Sequence, residues 1–68
     1  MATKEEVREA LKNSIGVEYH VWCWYGTEMS CCEKGCCKNT NNSIEEALEQ
    51  IEYFCDGDWD DVKIMEVK

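Results

Sequence analysis

Cys31-Cys32-Glu33-Lys34-Gly35-Cys36-Cys37 places four of the chain's six cysteines within seven residues. Thiols at that density can bind zinc, form disulfides or respond to redox state. A four-cysteine zinc site needs thiolates that converge tetrahedrally at about 2.3 Å. Zinc knuckles usually keep two residues between paired cysteines, and the chain has no Cys-x-x-Cys. Glu33-Lys34-Gly35 reads instead as a three-residue hairpin loop with Gly35 in the left-handed position. Side chains alternate along a ribbon, so Cys32 then faces Cys36 on one side and Cys31 faces Cys37 on the other. All four cannot reach one ion from a regular hairpin. An irregular loop, or recruitment of His20 or Cys23, would restore a site. Zinc on Cys31, Cys32, Cys36 and Cys37, disulfides Cys31–Cys37 and Cys32–Cys36, and free thiols are the states this spacing allows. A catalytic dithiol lacks the redox motif's spacing and its helix-start context.

The other candidates for chemistry are weaker. Cys23 and Cys55 fall on the expected core faces of a strand and a helix, where cysteine packs as a small hydrophobe. They could also lie close enough to bridge. His20 is the only histidine, and no nucleophile signature accompanies it. Asp56-x-Asp58-x-Asp60 is similar to the start of a calcium loop. Position six is Asp61 rather than Gly, and position twelve is Val67 rather than Glu. Phosphate-cradling glycine loops, zinc-protease helices and nucleophile elbows are all missing from the sequence. The expected protein is therefore not an enzyme, and it needs no cofactor unless the cysteines take zinc.

Charge is the second strong feature. Fifteen acidic and seven basic residues give a net charge of −8. Direct binding of nucleic acid requires lysine and arginine on the phosphates, and an anionic membrane would repel this chain. A basic protein would be attracted to it. Glu45, Glu49, Glu52 and Asp56 share a stripe at helical spacing. Asp58 and Asp60 extend it around Trp59. The plain reading of such a stripe is a solvated helix face that keeps the chain soluble. The functional reading is a surface that imitates a phosphate array and occupies a basic cleft. Trp22, Trp24 and Trp59 are the aromatic anchors such a surface would use. Trp22 and Trp24 share one strand face, and they are core if the first helix covers it and interface if it does not.

Sixty-eight residues make one small α+β domain, residues 1–68, whose core benefits from a staple or a partner. Met1-Ala-Thr-Lys-Glu-Glu is no signal peptide, and no apolar run approaches membrane length. The expected location is the cytoplasm, where cysteines are usually reduced or metal-bound. A secreted chain with its leader removed would favour disulfides.

The elements follow from pattern. Thr3-Lys4-Glu5-Glu6 is a capping box opening a helix near residues 3–14, ended by Gly16. Val17 to Tyr25 reads as one long strand, with Val17, Tyr19, Val21, Cys23 and Tyr25 on its core face. Gly26 bends or bulges the ribbon, and residues 27–32 continue to the cysteine turn. Cys36 to Thr40 returns antiparallel. Ser43-Ile44-Glu45-Glu46 is a second capping box. Ile44, Ala47, Leu48, Ile51, Phe54 and Cys55 form an apolar stripe through residues 44–55. Val62 to Val67 makes the last strand. The expected order is αββαβ, with a three-stranded antiparallel-type sheet in order 2-1-3 packed against helix 43–55.

Short length, acidity, a β-hairpin, the capped helix Ser43–Cys55 and the terminal strand Val62–Val67 together resemble small phage and mobile-element inhibitors of the anti-CRISPR kind. The resemblance implies a stoichiometric protein-binding inhibitor in a bacterial cytoplasm. Its implied partner is a nucleic-acid-binding protein whose basic surface it blocks. The Cys31–Cys37 cluster is not a feature of that class.

Overall fold

The computed structural model describes residues 2–31 and 38–65. Helix α1 (Lys4–Lys12) begins at the expected capping box. Thr3 Oγ1 accepts from the Glu6 backbone N–H at 3.2 Å, and Glu6 Oε1 accepts from the Thr3 N–H at 2.9 Å. The helix ends sooner than Gly16. Ser14 takes φ 60°, and the Ser14 and Ile15 amides donate back to the Leu11 and Ala10 carbonyls at 3.1 and 2.8 Å. This is a Schellman ending with serine where glycine is usual. Gly16 instead serves a close approach. A Cβ there would come within 2.5 Å of Met65 Cε and 2.6 Å of Tyr25 Cε1.

The long strand expected over Val17–Tyr25 is two strands. β1 (Val17–Tyr19) and β2 (Trp22–Tyr25) pair antiparallel across a two-residue loop, His20-Val21, with Tyr19 opposite Trp22. His20 adopts φ 57°, a backbone conformation histidine visits more readily than β-branched residues do. A second two-residue loop, Gly26-Thr27, joins β2 to β3 (Glu28–Cys31), with Tyr25 opposite Glu28. Gly26, at φ 63°, is therefore a turn residue and not a bulge within a continuing strand.

The first loop changes which side chains face the core. Trp22 stands opposite Tyr19 and Trp24 opposite Val17, so both tryptophans share the helix-facing side with Val17. Cys23 and Tyr25 turn to the other side, while Val21 sits exposed in the loop. The expected inward set was thus inverted for the second half of the segment, because each residue added to or removed from a strand flips every later side chain.

β4 (Lys38–Thr40) pairs with β3 through Glu28–Thr40, Met29–Asn39 and Ser30–Lys38. That is the register a Glu33-Lys34-Gly35 loop requires. The loop itself, with Cys32, Cys36 and Cys37, lies outside the described residues. Helix α2 (Ile44–Cys55) follows, with Ser43 Oγ accepting from the Glu46 amide at 3.2 Å. A short 3-10 turn (Trp59–Asp61) leads into β5 (Lys63–Ile64), which runs antiparallel to β1 at the sheet edge.

The sheet is therefore five-stranded, in order β4-β3-β2-β1-β5, rather than three-stranded in order 2-1-3. The α+β class stands, as does the placement of the last strand beside the first and antiparallel to it. Both helices contribute to one core on one side of the sheet. Val7 and Leu11 of α1, Leu48 and Ile51 of α2, and Val17 and Trp24 of the sheet are its largest fully buried side chains. Ala10 and Ala47 are buried beside them. Among the described residues no helix is long and apolar enough to cross a membrane.

Candidate interaction surface

The cysteines divide by strand parity. Cys23, opposite Ser30, projects away from the helices. Cys31, opposite Trp22, projects toward them. Cys23 is buried and disulfide-bonded, so it is more than the packing residue expected. Cys31 and Cys55 carry free thiols. Of the states the spacing allows, Cys31 is therefore the free thiol and not half of a Cys31–Cys37 bridge, and no Cys23–Cys55 bridge forms. Burial in the core pushes the Cys55 thiol above its usual pKa, which keeps it protonated and unreactive. Cys32 and Cys36 lie outside the described residues. Among the described residues no group of three His, Cys, Asp or Glu side chains could hold a metal ion. His20 is exposed in its loop with its ring 4.1 Å from that of Tyr19.

The acidic residues divide more sharply. The helices lie antiparallel, with Lys4 reaching Glu52 at 3.7 Å and Arg8 reaching Glu45. Arg8 donates from Nε to Glu45 Oε2 at 2.8 Å and from Nη2 to Glu45 Oε1 at 3.2 Å. It also binds Glu5, while Lys12 meets Glu9 at 3.7 Å. All three cations of α1 thus have ion-pair partners, and two of them, Lys4 and Arg8, reach across the seam to α2. Glu45 and Glu52, expected to carry recognition, are partly neutralised there.

Glu49, Asp56, Asp58 and Asp60 are exposed and have no ion-pair partner among the described residues. Asp56 caps α2 at φ 55°, Asp58 precedes the 3-10 turn, and Asp60 lies within it. No basic residue occupies the last turn of α2. The aspartates therefore add to the negative end of the helix dipole instead of offsetting it. Burial first, and then nearby negative charge led by Asp61, raises the pKa of the Tyr19 phenol.

Of the two alternatives for the tryptophan face, Trp24 takes the core one. Trp24 is completely buried, and Trp22 and Trp59 are half-buried against the core. The exposed aromatic of the acidic surface is Tyr53. The signal for it was present in the sequence. Tyr53 lies across α2 from the Ile44, Leu48 and Ile51 stripe, so a helix buried along that stripe must present Tyr53 to solvent.

The seam has a pH signature. Hydrogen bonding to Arg8 lowers the pKa of Glu45, and the same interaction lowers that of Glu5. A carboxylate with a depressed folded pKa stabilises the fold above its unfolded pKa. That contribution is lost as pH falls through the folded value. Arg8→Met should therefore return both titrations to the ordinary glutamate range and flatten the acid limb of stability. Side-chain carboxyl NMR titration measures the first effect, and denaturation between neutral and acid pH measures the second. Solvent screening at these exposed positions keeps the gain small.

No protein-family model matches the chain, and no curated protein or solved structure is significantly similar to it.

Proposed function

We propose that this protein is a small non-enzymatic binder that docks on a basic protein surface. In the sharper form it is an anti-CRISPR-like inhibitor, acting in a bacterial cytoplasm, that occupies the nucleic-acid-binding surface of its target. The observation that carries the reading is the sorting of charge on α2. The cations of α1 neutralise the flank at Glu45 and Glu52. Glu49 and the aspartates after the helix have no ion-pair partner among the described residues and face solvent. A net charge of −8 then gives a directed field rather than a diffuse one.

Immobilised protein should retain a nucleic-acid-binding protein from bacterial lysate. The free protein should then displace nucleic acid from that partner at one-to-one stoichiometry in a gel-shift assay. Recovery of no such partner, or a partner that still binds nucleic acid when saturated, contradicts the reading.

The disulfide at Cys23 favours a second reading, a cysteine-centred module that responds to redox state or binds zinc at the cysteine-rich turn. It predicts stoichiometric zinc after purification without chelator, or gain and loss of partner binding with reduction and reoxidation.

A further inference from the structure

We propose that the outward face of α2 is a docking surface for a lysine- or arginine-bearing segment of another protein, with Tyr53 as its aromatic anchor. The inference rests on the binding-protein reading and names its contact face. Tyr53 is 82% exposed, the largest value among the exposed large hydrophobics. Its ring meets Phe54 nearly edge-on, at 5.7 Å between centroids and 78° between planes. Phe54 lies against Trp22 at 6.0 Å and Trp24 at 6.1 Å. A chain of rings thus runs from the wholly buried Trp24 out to the surface. Phe54 thus gives the exposed ring a contact that leads back to the core, and exposed rings of this kind serve as interface anchors.

Glu46 and Glu49 precede Tyr53 by seven and four residues, and Asp56 follows it by three. These spacings put all four on one helical face. All are exposed, and none of the three carboxylates has an ion pair among the described residues. An aromatic face ringed by carboxylates selects a cationic side chain, because the ring quadrupole and the charges attract it together. Arginine adds planar stacking. Nucleic acid and anionic membrane carry the wrong charge for this surface. The adjoining flank already has its counter-ions in Arg8 and Lys4, so binding should stop at that edge.

The test is a titration of the intact, oxidised, isotope-labelled protein followed by NMR. Three probes are used: an amphipathic lysine–leucine peptide, the same peptide with glutamate for lysine, and spermidine. The lysine peptide should shift the amides of Glu46, Glu49, Tyr53 and Asp56, and the glutamate peptide should shift none of them. Tyr53→Ala should weaken lysine-peptide binding roughly tenfold, and Tyr53→Phe should stay within about twofold of the parent. Glu45→Gln should also stay within about twofold, because Arg8 already holds that carboxylate. Circular dichroism confirms that each variant is folded. Undiminished binding by Tyr53→Ala, shifts centred on the α1 flank, or spermidine binding as tightly as the lysine peptide would overturn the proposal. If Tyr53→Ala still displaces nucleic acid from a captured partner, the anchor fails while the inhibitor reading stands. If the peptide shows the tyrosine dependence but no captured partner loses nucleic acid, the docking face stands and the inhibitor reading fails.

Discussion

With the Cys23 disulfide reduced, Trp24→Ala leaves a large part of the protein unfolded at room temperature. Trp24 is flanked by Val17 on one strand and Met29 on the other, faces Phe54 of α2, and exposes none of its surface. Truncating a wholly buried tryptophan typically costs about 3–5 kcal/mol. A single core in a chain this short rarely supplies more than about 3–5 kcal/mol, so the two quantities nearly cancel. Trp22→Ala removes a half-buried ring and should cost clearly less. Chemical denaturation followed by far-ultraviolet circular dichroism separates the two. A folded Trp24→Ala variant that has lost only partner binding would mean that the ring is a surface anchor after all. That outcome would contradict the two-strand reading of residues 17–25.

Breaking the Cys23 bridge has the second-largest expected effect. A disulfide stabilises mainly by restricting the unfolded chain, typically by about 2–4 kcal/mol. Cys23→Ser should lose that amount. A thiol reductant should lower the Tm of the parent by more than it lowers that of Cys23→Ser. Cys31→Ser, at a free and half-buried position, should change stability by less than about 1 kcal/mol. A parent Tm indifferent to reductant contradicts the stapling role. The two predictions concern adjacent residues of β2. Trp24 joins that strand to the helices, and Cys23 ties down its opposite side.

Much of this architecture is written locally. The Thr3 capping box needs only residues three apart, and both of its hydrogen bonds are present. The α2 stripe repeats over twelve residues, long enough for its period to be unambiguous, and Ala47, Leu48, Ile51 and Cys55 are buried as it requires. The β3–β4 register follows from the placement of Gly35 between the cysteine pairs. The Tyr19–Trp22 hairpin is the exception. Its loop, His20-Val21, contains none of the Gly, Asn or Asp that ordinarily mark such turns. A β-branched and aromatic run from Val17 to Tyr25 satisfies strand propensity whether or not it folds back. Tertiary packing decides the matter, because only the folded-back form brings Trp22 and Trp24 onto the same side as Val17 to meet Phe54.

The candidate surface was legible in composition but not in detail. The stripe Glu45, Glu49, Glu52 and Asp56 is visible at helical spacing. The ion pairs that remove Glu45 and Glu52 from it join residues 37 and 48 positions apart, from Arg8 and Lys4. Only the antiparallel packing of α1 on α2 brings them together. Tyr53 was obscured for a related reason. An aromatic residue in a helix signals burial until the rest of the helix shows which face is already occupied.

The central claim is that recognition depends on the outward carboxylates of α2 and not on net charge alone. Two double variants with identical charge test it most directly. Glu46→Gln/Glu49→Gln and Glu5→Gln/Glu9→Gln each reduce the charge from −8 to −6. The measurement is displacement of nucleic acid from the captured partner by each variant. The account predicts that the first variant loses displacement, while the second, altered only along α1, retains it. Equal loss in both would make the effect one of net charge, and full retention in both would remove the acidic face from the interaction altogether.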